Sequence, residues 1–299
     1  MPPEHAAGRD APYRLTIAPR FQLGRGFLGR LDRNGGVERG GDSGYAPRND
    51  WRALAAEELS ALVAEGSGPD ALLPATELGL LQIPERIRAA WWREAERNPR
   101  KQDFEPVFSA LVQFLRFKRL PLPERVHLEV SVNAPDLAST RAAPGGARHG
   151  LAYRDPGTAG SAGARQAVGL LNLGDEATFV ALLEFPPAAL VARLLAAGES
   201  HARTLSPDRL VNRYFERFPH QSLLRVLLEP GEGLWLSPEG VVHDGWTRGK
   251  RDLDVVLSLR VEVGTGSETA GQGAGGAAGR TKSEANLGRE APGEGPPSV

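Results

Sequence analysis

Six histidines and no cysteine bound the chemistry open to this 299-residue chain. Any metal must be held by imidazole nitrogen and carboxylate oxygen, while disulfides, zinc–thiolate sites, iron–sulfur clusters and cysteine nucleophiles are excluded. His127 and Glu129 stand two residues apart, and alternate residues of a strand share one face, so their spacing suits chelation of one ion. The plainer reading, a solvated polar face of one strand, outranks it. His149 and Asp155 are six residues apart. Extended, that separation is about 20 Å at roughly 3.3 Å per residue, against metal bonds to N and O of about 2 Å, so the two share an ion only if the segment folds back. His243 precedes Asp-Gly-Trp, and Arg251 and Arg260 follow it by eight and seventeen residues. A guanidinium stays charged at any working pH and grips a carboxylate through two parallel hydrogen bonds. Each of these also has a plain reading: His243 as a turn residue, Arg260 as a surface ion-pair partner of Asp252 or Asp254. His5, His201 and His220 lie in the irregular terminus or at helix ends and read as structural or exposed. The sequence has no Walker-type phosphate loop, no G-x-S-x-G and no H-E-x-x-H.

The elements that must position these side chains change character along the chain. Asp50 is expected to cap a helix carrying Leu54, Leu59, Leu62 and Val63. Pro84 opens a second helix through Ile87 and Trp91, and Pro106 a third with Phe108, Leu111, Val112 and Leu115 at helical spacing. The first third is therefore expected to be mainly helical, apart from a short strand at Tyr13 to Ile17 and a loop from Arg30 to Arg48. After Pro123 the period becomes two: Val126, Leu128, Val130 and Val132 alternate with His127, Glu129, Ser131 and Asn133. Further strands are predicted at Leu151 to Tyr153, Ala167 to Leu173, Thr178 to Phe185, Leu223 to Glu229, Leu234 to Leu236, Val241 to His243 and Leu253 to Val263. Asn172, Gly174 and Asp175 mark a tight turn between two of them. Two helices interrupt the series, Ala188 to Ala197 and one capped by Ser206 before Pro207. The organisation reads as an irregular segment 1–49, a helical support region 50–123, a β-rich domain 124–263 and a disordered tail 264–299.

Thirty-six basic residues against thirty-seven acidic ones give a formal charge of −1, which lacks the footprint of a nucleic-acid binder. No apolar run reaches the roughly 18 residues of a membrane span. The N-terminal residues lack a basic head before an apolar stretch. A cytoplasmic protein with no membrane and no nucleic-acid partner is the expectation.

The segment from Leu228 to Arg260, LEPGEGLWLSPEGVVHDGWTRGKRDLDVVLSLR, runs strand, Gly turn, short strand, Pro turn, histidine, polar hairpin and long terminal strand. It resembles the C-terminal half of the double-stranded β-helix in Fe(II)/2-oxoglutarate oxygenases. The phrase AVGLLNLGDEATFVALLEF resembles the central strands of the same family. The resemblance covers about Arg125 to Val263. It implies an α+β fold, a double-stranded β-helix of the jelly-roll or cupin type, with the N-terminal helices packed outside. It further implies that His243 is an iron ligand and that Arg260, with Arg251 as runner-up, clamps the far carboxylate of the cosubstrate. His149 and Asp155 would supply the remaining metal ligands. The family's His-x-Asp pair is altered here, because Tyr153 stands two residues before Asp155. The implied activity is hydroxylation of a small molecule or a peptide side chain using Fe(II), dioxygen and 2-oxoglutarate. The alternative is a barrel of the same shape without metal, serving as a binding or structural module.

The residues after Val263 contain too few large apolar groups to offset the entropy of ordering them. Truncation there should leave the melting temperature of the protein unchanged within error in a calorimetric scan; a drop of several degrees would show that the tail docks.

Overall fold

The computed structural model describes residues 16–17, 29–39, 44–62, 77–97, 104–117, 122, 126–137, 139–140, 151, 165–237 and 240–263. The tail 264–299 and the residues His149, Tyr153 and Asp155 lie outside the described residues.

Alternation of apolar side chains builds the strands. Those before the helical support region are β1 (Thr16–Ile17), β2 (Leu31–Arg33), β3 (Val37–Arg39), β4 (Tyr45–Pro47) and β5 (Arg52–Ala53), followed by the short helix α1 (Ala56–Ser60). Next come β6 (Glu77–Gln82), α2 (Glu85–Arg97), α3 (Glu105–Phe117), β7 (Val126–Asn133), β8 (Arg165–Asn172) and β9 (Thr178–Leu183). The chain continues through α4 (Pro187–Ala196), α5 (Pro207–Arg217), β10 (Leu223–Leu228), β11 (Glu232–Leu236), β12 (His243–Trp246) and β13 (Asp254–Val263).

Two sheets result. The larger has the order β1-β6-β11-β8-β13-β7 and the smaller β12-β9-β10-β2-β5, with β3 and β4 forming a separate hairpin. All pairings are antiparallel except β1 with β6. From β8 onward the chain passes between the sheets in the sequence larger, smaller, smaller, larger, smaller, larger. Their facing surfaces are closed by Leu78, Leu80, Val168, Leu234 and Leu236 from one side and Leu31, Val180, Leu182, Leu224 and Val226 from the other. On the outer face of the larger sheet, Leu171, Trp235, Leu257 and Leu259 bury Ile87 and Trp91 of α2 and Phe108, Leu111 and Leu115 of α3. The N-terminal helices thus pack outside. The outer face of the smaller sheet, through Ala181, Leu183 and Leu223, receives Leu190 and Leu194 of α4 and Leu210, Tyr214 and Phe215 of α5.

Gly169 and Asn172 hold the centre in register. A Cβ at Gly169 would stand 2.9 Å from the Trp235 ring, so glycine lets the indole lie flat on β8. Asn172, fully buried, donates to the carbonyls of Glu176 and Leu228 at 2.9 Å each and accepts from the Gly174 N–H at 2.9 Å. The turn read from Asn172, Gly174 and Asp175 is there, fastened by the asparagine.

Four local expectations are corrected. The stretch Arg30 to Arg48 contains three short strands, and β2 joins the smaller sheet beside β10. β6 lies in a region read as helical support; Leu78 and Leu80 face one core and Leu81 another, so its two-sided burial removes the alternation that marks a half-exposed strand. Asp50 caps no helix: it accepts from the Gly35 N–H at 3.1 Å, and α1 begins after Ala55, whose N–H is taken by Glu58 at 3.1 Å. Ser206 stands at the N-cap of α5, yet its side chain makes no capping hydrogen bond.

Replacing Asn172 with alanine strands two carbonyls and one N–H in the interior, a loss of about 2–3 kcal/mol at the usual 1–3 kcal/mol for an unsatisfied buried polar group. Urea denaturation should read this as a lower midpoint at unchanged slope.

Candidate functional site

Cross-strand register decides which side chains can meet between the sheets, because directly paired residues of antiparallel strands share a face. On the smaller sheet, Leu182 and Leu224 pair with each other and both belong to the inner cluster. His243 pairs with Leu182, and Arg33 pairs with Leu224, so all four lie in one row of the inner face. On the larger sheet, Val168 belongs to the inner cluster, Arg260 pairs with Val168, and His127 pairs with Arg260. His127, Glu129 and Arg260 therefore stand on the inner face as well. The polar face of β7 is the one turned toward the other sheet, while Val126, Leu128 and Val130 pack on the helix side.

His243 and Arg260 sit level with one another. The turn joining β8 to β9 begins after Asn172 and ends at Thr178. Val168, the partner of Arg260, and Leu182, the partner of His243, each lie four residues from that turn along their strands. Sheets packed face to face are about 10 Å apart, so the two side chains project from opposite walls at one end of the sandwich. Consecutive strands β12 and β13 supply them by crossing from one sheet to the other.

The His243 ring is oriented by its own turn. Nδ1 lies 2.9 Å from the Val241 carbonyl oxygen, which only accepts, so Nδ1 is the protonated nitrogen in this contact. That is the tautomer of a metal-binding imidazole with a backbone partner behind it. At Gly245, the next inward position of β12, a Cβ would come 2.1 Å from Thr140 Oγ1. Close approach brings the Thr140 N–H to the Gly245 carbonyl at 3.2 Å, and Thr247 donates its N–H to the Leu137 carbonyl at 3.0 Å. The chain on its way to His149 and Asp155 thus runs beside β12 as far as Thr140.

Arg260 donates from Nη2 to Glu129 Oε2 at 3.1 Å, and the two side chains are 45% and 44% exposed. Arg251 is elsewhere. Its side chain is 89% exposed, with Nε 3.2 Å from Glu176 Oε1 in the β8–β9 turn, at the end of the sandwich remote from His243. The N–H groups of Asp252 and then Arg251, with the Arg251 guanidinium, hold the Glu176 carboxyl below the usual carboxylate range. A neighbouring carboxylate and the hairpin backbone thus place Arg251 at the turn end, away from the inner-face position of Arg260. At the same turn end, Lys250 Nζ and Asp254 Oδ1 form a buried pair at 2.8 Å, and Asn133 Nδ2 reaches Asp254 Oδ2 at 3.1 Å. This pins the start of β13 to the end of β7.

Two inward-facing groups escaped the sequence reading. Arg33 pairs with the buried Glu184, Nη2 to Oε1 at 2.5 Å, and with Glu58 at 3.0 Å. Neither lies in a recognisable motif, and the three residues of β2 show no period. Among the described residues, no group of three His, Cys, Asp or Glu side chains is placed to hold a metal ion. Also among them, no helix is long and apolar enough to cross a membrane. A surface groove lined by Glu199, His201, Arg209 and Arg213 lies on the α4–α5 insertion and includes none of the candidate residues.

No protein-family model and no curated protein matches the chain. Among solved structures, the chain is similar to apo HygX from Streptomyces hygroscopicus, at 14% identity and a TM-score of 0.33, over 65% of this chain and 86% of that one. A similarity of that size does not assign a fold.

Replacing the exposed Arg251 with alanine should change stability by no more than about 0.5 kcal/mol, read as an unchanged midpoint in urea denaturation.

Proposed function

We propose that the protein is an oxygenase of the Fe(II)/2-oxoglutarate class, hydroxylating a small molecule or a peptide side chain, with its two sheets forming a double-stranded β-helix. His149, Asp155 and His243 would hold the metal, and Arg260 the far carboxylate of the cosubstrate. The observation that carries this reading is the level placement of His243 and Arg260 on facing walls at one end of the sandwich. A metal-bound 2-oxoacid needs its metal and its distal cation at opposite sides of one pocket. Support also comes from the alternation of β8 to β13 between the sheets and from the Val241 carbonyl, which orients the His243 ring through Nδ1.

When bound, the iron would supply activation of dioxygen. The chain's own part is to offer His243 in one tautomer, to orient a carboxylate on Arg260, and to exclude water with the leucine and valine face beside them. A second reading, a barrel that binds ligands without metal, is favoured by Tyr153 in the His-x-Asp position and by the carboxylate that Arg260 already holds.

Titration calorimetry with Mn(II) followed by 2-oxoglutarate separates the two. The enzyme reading expects both to bind, His243→Ala to abolish metal binding, and Arg260→Ala to weaken 2-oxoglutarate by about 1.5–3 kcal/mol, roughly ten- to a hundredfold, as for hydrogen bonds to charged groups. Wild-type protein that binds neither would leave the metal-free barrel.

A further inference from the structure

The inner face of the larger sheet is apolar over β6, β11 and β8 and turns polar at β13 and β7, where Ser258, Arg260, His127, Glu129 and Ser131 replace leucine and valine. Within that strip, among the described residues, the Arg260 guanidinium meets the Glu129 carboxylate. Resting on the reading of Arg260 given above, we infer that Glu129 is an internal occupant of the Arg260 carboxylate site, and that a dicarboxylate ligand enters by displacing it.

Three observations carry this. First, β7 does not need the ion pair to stay in the sheet, because eight residue pairs join it to β13 and its apolar face packs against the α2–α3 core. Second, Glu129 engages the guanidinium through Nη2 to Oε2 at 3.1 Å, whereas a small ligand carboxylate can take the fork with two parallel bonds. Third, both side chains are nearly half exposed, so the pair is held weakly and exchanges readily. Glu129 keeps the cation neutralised between turnovers. It also favours a carboxylate whose molecule has a second point of attachment over a simple monocarboxylate such as acetate.

The test measures 2-oxoglutarate binding in the presence of Mn(II) for wild type, Glu129→Gln, Arg260→Gln and the double variant, with thermal melts of each. Removing the competing charge should tighten binding two- to fivefold, the factor matching an exposed pair's free energy. Arg260→Gln should weaken binding at least tenfold, and adding Glu129→Gln to it should then change nothing. Glu129→Ser should tighten binding similarly, which guards against an idiosyncrasy of the amide. Unchanged or weaker binding by Glu129→Gln, with wild type binding normally, overturns the exchange while leaving the oxygenase reading intact. A lower melting temperature with unchanged affinity likewise marks the pair as purely structural. Absence of binding in wild type and Glu129→Gln alike sinks the oxygenase reading and this inference with it.

Discussion

The apolar contact between the two sheets governs everything else in the molecule. Leucine and valine side chains from facing strands leave water together, at roughly 25 cal/mol per Å² of apolar surface removed, and a charge among them would have to be paired or neutralised. Polar side chains on the inner faces are therefore confined to where the apolar contact stops. On the larger sheet it stops at β13 and β7. Arg260 and Glu129 stand there, half exposed, and His243 stands on β12, the edge strand of the opposite wall. The place where the core ends is the place where chemistry is admissible.

Keeping those side chains inward is a matter of register, since a slip of one residue would turn every one of them to the other face. Buried polar anchors prevent it. Asn172 ties the β8–β9 turn to Leu228 of β10, which belongs to the smaller sheet, and the Lys250–Asp254–Asn133 cluster ties the beginning of β13 to the end of β7. Both anchors lie at the turn end of the sandwich. The opposite end carries His243 and Arg260.

The proposed site and the buried anchors consequently occupy different ends of the same strands. At the turn end, buried hydrogen bonds are costly to break and set the pairing. At the other end, the His243 ring meets the Val241 carbonyl and the Arg260 guanidinium meets the half-exposed Glu129 carboxylate. The outer helices stiffen both walls through Trp91, Phe108 and Leu111 on one side and Tyr214 and Phe215 on the other.

Much of the scaffold was legible from local pattern alone. The alternation in β7 and β13, the helical spacing in α2 and α3, and the Asn172-Gly174 turn each encode their own structure, because period and turn chemistry act over a few residues. What local pattern left open was every question of partner and face. β6 lost its alternation by being buried on both sides, and the three residues of β2 became a strand only by pairing with β10. His243, Arg251 and Arg260 were equally visible as residue types; pairing with Leu182 and Val168 turned the first and last inward, while Glu176 drew Arg251 to the far turn. Likewise the polar face of β7 was evident, yet only stacking of the sheets made it an inner wall. Residue type and period are properties of neighbours along the chain, whereas which face is inside depends on the surface that the rest of the protein brings against it.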